Sequence, residues 1–424
     1  MAVAPDTRTP VVLVCGRRGD TAGAARSLQA EGTAVVHHDL SLVGEGVVAR
    51  SVTTVEDGVP VTRSGIVELA HACVSCTLRE DLLPLLRRLA QRDGIDRIVV
   101  ELDPMLEPEP VCWAIREVVV AGLVGAVDAP AAHDVRIEAV LACVDAETWL
   151  ADALGDEPAA DAVEEEGLVD ERTVAQIVVG QVSVADAILV TGSAGDGWEQ
   201  ARLYAVLARL APGAPVAWGS AASTPTLVAA VPPTALRGAA TTAFSPLLRG
   251  QPPLDDDLGV SLVEFEARRP FHPGRLHDAL DVLFDGVVTA RGRLWIATQP
   301  GTALWLESAG GGLRVGDGGP WMAALSPDEQ DALDAERRAH AALHWADPYG
   351  DRHNALVVLV CGADPDDVRG ALHAALVTDA EFADPAQWAD WNDPFGSFHE
   401  DPCEPGLSDA EPRVAARPDD QENR

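Results

Sequence analysis

The sequence has no lysine. All 31 of its basic residues are arginine, set against 67 Asp and Glu, which gives the 424-residue chain a net charge of −36. Without lysine there is no phosphate-loop lysine, no Schiff-base lysine and no kinase-type strand lysine. Arginine is a poor replacement where a compact ammonium must sit on a phosphate. The acidic balance argues against nucleic acid and anionic membrane as direct partners, because both repel such a chain. It suits a cation or a basic protein. Cysteine is sparse, with seven residues, an odd number. The chain also shows no basic-then-apolar start, so a secreted disulfide protein is not expected. The longest apolar run, near residues 118–127, is too short to span a bilayer. These absences together predict a cytoplasmic protein. With 47% hydrophobic and 23% charged residues, the chain has an ordinary globular composition, long enough for two or three domains.

The apolar runs alternate with helical patterns. Val11–Val14 is a short strand ending in Cys15-Gly16-Arg17-Arg18-Gly19, a glycine-rich turn that leads into a helix over Ala22–Ala30. Strands are also expected at Thr33–Val36, Val47–Val55, Gly65–Leu69, Ile98–Glu101, Ala139–Val144 and Ala187–Val190, with a helix over Leu82–Arg92. This alternation predicts an α/β fold with a mainly parallel sheet and helices on both faces. Residues 151–172 read as an acidic surface excursion. From Val260 the pattern changes. Ser261–Glu266 alternates like a half-buried strand, 286–315 reads as a meander, and Asp364–Leu376 is helical after the apolar run Ala355–Cys361. That predicts a smaller α+β domain. Trp295, Trp305 and Trp321 along the meander fit core packing or one exposed patch, His272 a helix start, and Asp351-Arg352-His353 a folding or interface motif.

Two features bear on chemistry. A phosphate-binding loop follows Gly-x-x-x-x-Gly-Lys-Ser/Thr. In the register from Gly16, Gly19 is retained, but Thr21 stands at the second motif glycine, Ala22 at the lysine and Gly23 at the hydroxyl, while Asp20 adds a negative charge. The turn therefore reads as a strand-to-helix connection without nucleotide chemistry. The stronger signal is His71-Ala72-Cys73-Val74-Ser75-Cys76. Two thiols at this spacing can reach one zinc ion, and His71, His37 and His38 are candidate further ligands. Thr77 and Glu80 fit a capping box, which would put the cysteines just before a helix; alternatively Asp81 is the cap, with Pro84 in the first turn. His399 and Cys403, in an acidic setting, are weaker candidates.

The run CVSCTLREDLLPLLRRLA, followed by IDRIVVELDPMLEPEPV, resembles the CobW group of zinc-associated P-loop GTPases. RRPFHPGRLHDAL, DGVVTARGRLWIATQP, WLESAGGGLRVGDGGPW and DPYGDRHNALVVLVCG are similar to the CobW carboxy-terminal domain, in the family's order. The resemblance implies a P-loop-NTPase-like domain over residues 10–245, a linker over 246–259, a CobW carboxy-terminal α+β domain over 260–400 and a disordered acidic tail over 401–424. It also implies zinc as the metal, with Gly16, Gly19 and Glu101 as what remains of the nucleotide site. The departures are systematic: Ser75 replaces a cysteine, Pro104 a γ-phosphate-sensing glycine, and Thr191-Gly192-Ser193-Ala194 the guanine-reading Asn-Lys-x-Asp. GTP and magnesium are therefore not expected, nor is catalysis.

One branch is especially similar, the actinobacterial one described as ribosome hibernation factor-recruiting. It implies a zinc-responsive adaptor that brings a hibernation factor to the small ribosomal subunit under zinc limitation. The alternatives are a GTP-dependent zinc metallochaperone like other CobW members and a plain zinc store.

Overall fold

The computed structural model describes residues 6–69, 77–159, 171–239 and 242–396. The first half is built on eight strands: β1 (Thr9–Cys15), β2 (Thr33–Asp39), β3 (Val47–Glu56), β4 (Val59–Glu68), β5 (Arg97–Glu101), β6 (Val135–Asp145), β7 (Ala187–Thr191) and β8 (Val216–Trp218). They lie in the order β8-β7-β6-β1-β5-β2-β3-β4. The six from β8 to β2 are parallel, and β3 and β4 continue the sheet as an antiparallel hairpin. The central strands are continuous apolar runs because helices cover both of their faces. Helices α1 (Thr21–Ser27), α2 (Leu83–Ala90), α3 (Pro108–Glu117), α4 (Trp149–Leu154), α5 (Val174–Ser183), α6 (Gly197–Leu210) and α7 (Thr224–Ala229) connect them. Ala24, Ala25 and Leu28 of α1 and Leu227 and Val228 of α7 pack on Val12, Val14 and Leu141. Leu83, Ile115, Val178 and Val206, from α2, α3, α5 and α6, pack on the opposite face against Leu13, Val100 and Val140.

The second half adds β9 (Val260–Ala267), α8 (Pro273–Ala279), β10 (Val287–Leu294), β11 (Thr302–Ala309), β12 (Gly312–Pro320), α9 (Ala335–His344), β13 (Asn354–Cys361) and α10 (Pro365–Ala375). Its five strands are antiparallel, in the order β9-β13-β10-β11-β12. Val263, Phe265, Leu306 and Val358 face Leu276 of α8 and Leu372 of α10. Leu262, Val288 and Leu359 point the other way and join the core of the first sheet. The expected half-buried strand at 261–266 is present: Val263 and Phe265 are buried, and Glu264 and Glu266 on the opposite face are exposed. Leu262, at the start of that opposite face, is buried as well, on the side where α6 of the first half packs. Trp295 and Trp321 are fully buried and Trp305 partly so. His272 caps α8, accepting from the Arg275 amide at 3.3 Å.

The expected helix start near Thr77 is corrected. Thr77 already has helical angles (φ −55, ψ −45) and makes no side-chain cap, so it does not act as the start of a capping box. Leu78–Leu82 form one wide π-helical turn that runs directly into α2, with Pro84 in that helix's first turn. The wide turn carries the chain past a residue with no N–H to give. Asp81 is not a cap either; its carboxylate turns inward to His38 and Arg50.

Arg87 fastens α2 in place. Its guanidinium is fully buried, donating through Nε to Asp134 at 2.6 Å and through Nη1 to the carbonyls of Val120, Val127 and Ala129. Replacing it with an apolar side chain strands one carboxylate and three carbonyls, and losing one partner of a buried pair costs roughly 3 kcal/mol. Arg87→Leu should therefore lower the unfolding free energy extrapolated from urea titration by about that amount, whereas Arg88→Leu, on the exposed side of the same helix, should leave it nearly unchanged.

Candidate functional site at the carboxyl ends of the first sheet

In open α/β sheets ligands bind beyond the carboxyl ends of the strands. In this chain that rim begins with the turn after β1. Asp20 is the N-cap of α1, and its carboxylate accepts from the Gly23 amide at 2.8 Å. The amides that open a helix are what a phosphate would use, and here an anion of the protein already sits on them. Gly23 is required by this cap, because a Cβ at position 23 would collide with the Asp20 carboxylate. Gly16 and Gly19 are committed too, since a Cβ at either would collide with the Cys143 carbonyl of β6. The turn thus lies close against β6. Thr21 donates through Oγ1 to Glu101 Oε1 at 3.0 Å, tying α1 to the end of β5. Arg17 leans on the Met105 sulfur and Arg18 pairs with Asp152 at 3.5 Å.

His37 and His38 are neighbours on β2, so their side chains leave the sheet on opposite faces. His37 donates through Nδ1 to the Glu101 carbonyl at 3.2 Å, beside its register partner on β5. His38 is buried on the α2 side and donates through Nε2 to Asp81 Oδ2 at 2.7 Å. Arg50 of β3 holds the other Asp81 oxygen. Burial raises the Asp81 pKa, but His38 and Arg50 outweigh it and hold the carboxyl below its ordinary range. His38, Thr77, Leu78, Glu101 and Asp103 line one small cavity. Thr77 follows Cys76 directly in the chain, but Cys73, Cys76 and His71 themselves lie outside the described residues, as do His399 and Cys403. The structure therefore separates His37 from His38 and places His38 on the side where the chain resumes after the cysteine pair.

Comparison with known proteins gives the lineage. Residues 28–216 match the nucleotide-binding domain described as CobW/HypB/UreG, and residues 260–376 match the cobalamin synthesis protein cobW C-terminal domain. A Mycobacterium tuberculosis protein named zinc chaperone Rv0106 is 48% identical over 93% of this chain and 95% of its own length. The chain belongs to the CobW family. The zinc-regulated GTPase metalloprotein activator 1 of Dictyostelium discoideum is 25% identical over 78% of this chain and 70% of its own. Among solved structures, the Zn(II)-bound YjiA GTPase of E. coli aligns over 87% of this chain and 99% of its own at 18% identity, with a TM-score of 0.36.

Seen as a CobW chain, the other nucleotide elements are also tied into the protein. Asp103 accepts from the amides of Leu40 and Met105, both at 3.0 Å. Gln181 holds the carbonyls of Pro104 and Leu106, each at 3.0 Å, so the segment after β5 is pinned from both sides. Pro104 has no N–H to offer a phosphate. After β7, Thr191 donates to the Val144 carbonyl and Gly192 turns with φ +77 beside Asp145, where the family reads guanine. The four described cysteines, Cys15, Cys112, Cys143 and Cys361, are free and buried. Burial pushes Cys112 and Cys143 up to about 12. Two further histidines, His340 and His344, were not expected to matter; their spacing of four on one helix was the available signal.

The Asp20 cap can be tested directly. Replacing a capping Asp with Ala costs about 1 kcal/mol, while Asn caps equally well. Urea unfolding should show Asp20→Ala destabilised by about that amount and Asp20→Asn close to the parent.

Proposed function

We propose that this CobW-family chain handles zinc as cargo, taking the ion at the segment containing His71, Cys73 and Cys76 and releasing it without turnover of GTP. The observation that carries this is the Cys-x-x-Cys pair ending one residue before Thr77, at the head of a helical segment that Asp81 fastens to His38 and Arg50. Zinc is held by thiolates and neutral imidazoles. Two thiolates and one or two imidazoles neutralise it, and His38 is the described histidine on that side of the sheet. If His38 turns to the ion it must leave Asp81, so occupancy is linked to the seating of the segment on the sheet. The names of the mycobacterial and Dictyostelium relatives support zinc handling.

The absence of GTP turnover rests on the rim. A magnesium-bound triphosphate needs a cation, open amides and a hydroxyl on the metal. This chain has no lysine, Asp20 sits on the helix amides, and Gly23 replaces the hydroxyl. No step through GTP is assigned to these residues.

A finer reading has the chain bring a ribosome hibernation factor to the small ribosomal subunit when zinc is scarce. Its support is the similarity of CVSC and the carboxy-terminal motifs to that branch, together with a net charge of −36, which steers a basic partner toward the chain.

Competition of the purified full chain with a chromophoric zinc chelator should show one equivalent of zinc lost in Cys73→Ser/Cys76→Ser. Unchanged stoichiometry would overturn zinc handling at this segment. Calorimetry with magnesium and GTP should show no binding; a micromolar dissociation constant would defeat the non-nucleotide reading. Co-purification with ribosomes at low and high zinc separates the finer reading: recovery by the parent at low zinc alone supports recruitment, and equal recovery by parent and double variant in both conditions rules these thiols out as the switch.

A further inference from the structure

Helix α9 carries His340 and His344 four residues apart, on one face. The approach to β13 brings His353 beside them. One ring nitrogen from each of the three lies within 4.8 Å of the others, the one such grouping of His, Cys, Asp or Glu among the described residues. His344 stacks on His353 at 3.9 Å between centroids with the rings 5° from parallel, and His340 lies 4.6 Å from His344. Hydrogen bonding alone does not explain the cluster. His340 Nδ1 is buried and has no hydrogen-bond partner, which is costly for a polar atom out of water.

His353 is oriented as a metal-bound histidine is. It donates through Nδ1 to the Asp351 carbonyl at 2.8 Å, which fixes the tautomer and leaves Nε2 as the lone-pair side. Asp351 is itself fixed, accepting from the amides of Met322 and Ala323 and from Arg337. In the structure His353 Nε2 accepts from Arg293 Nε at 2.9 Å. Arg293 has other acceptors in reach, the carbonyls of Ala243 at 2.8 Å and Ser245 at 3.4 Å. Its guanidinium can therefore leave His353 and remain hydrogen-bonded.

We infer that His340, His344 and His353 form a second metal site, in the carboxy-terminal domain, for a divalent ion of the zinc class. Three imidazoles and no thiolate select borderline first-row ions over magnesium or calcium. Three protein ligands leave one tetrahedral position for water or an exchanging donor, so the site is an exchangeable one rather than a closed structural one. Arg293 is its competitor: the ion displaces the guanidinium from His353. The site does not depend on the cysteine segment.

The test uses the full chain in the Cys73→Ser/Cys76→Ser background, titrated with Co(II) by absorption and with Zn(II) by chelator competition. One equivalent should bind, with the d–d bands of tetrahedral cobalt. It should be lost when His344→Ala is added, and lost again with His340→Ala, while circular dichroism stays unchanged. Both helix positions are only partly buried, so the fold tolerates the truncations. Arg293→Met should tighten binding. The inference fails if the Cys73→Ser/Cys76→Ser chain binds no equivalent, or if both histidine variants keep it. The parent compared with that double variant reports separately on zinc handling at residues 71–76, so either site can fail alone.

Discussion

A carboxylate sits where a phosphate would. Asp20 accepts the Gly23 amide at the opening of α1, and that contact fixes what the first turn can do. An anion on the first amides of a helix is favourable because the helix dipole points its positive end there. In a nucleotide-binding protein that favourable spot is left for the ligand. Here the chain fills it from within, and Gly23 follows from the filling, because any side chain at 23 would strike Asp20. The two departures from the family pattern are thus one event in space. Gly16 and Gly19, retained in sequence, now serve close packing on the Cys143 carbonyl.

The same substitution of internal for external partners recurs around the rim. Thr21 is spent on Glu101, Asp103 on Leu40 and Met105, and Gln181 on the carbonyls about Pro104. Each bond ties a segment of the rim to a neighbouring element. The charge follows the same direction. Asp20, Glu101, Asp103 and Asp145 stand at or near the strand ends, with Arg17 and Arg18 turned to Met105 and Asp152. Four carboxylates, with both arginines engaged, thus make the described rim acidic.

The order of strands and helices was legible because the apolar runs are long and separated by unmistakable turns, as with Val11–Val14 and Ala187–Val190. What escaped depends on neighbours distant in the chain. The alternation Ser261–Glu266 reads correctly as half-buried, but the burial of Leu262 on its outer face comes from α6, about fifty or more residues earlier. Thr77 and Glu80 satisfy the spacing of a capping box, but local spacing says nothing about whether the helix has already begun. His37 and His38 are candidate ligands because they follow a strand whose carboxyl end lies on the same rim, but β geometry sends their adjacent side chains to opposite faces. His340 and His344 carried a readable signal in their helical spacing. Their meeting with His353 is a tertiary fact, created by the return of the chain from α9 to β13.

The shared core ties these sites to one framework. Leu262, Val288 and Leu359 of the second sheet lie in the same apolar cluster as Leu13, Val100 and Val140 of the first. A packed interior transmits displacement because it has few voids to absorb it. Arg291, buried and held below its ordinary pKa by desolvation, reaches from β10 to the Leu247 carbonyl, and Arg249 pairs with Glu109 of α3 across the same boundary. Burying cations at a junction is costly unless both sides remain in register. The second sheet therefore cannot slide freely on the first. α2 and α3 join this framework through Leu83 and Ile115, which lie in the same apolar cluster.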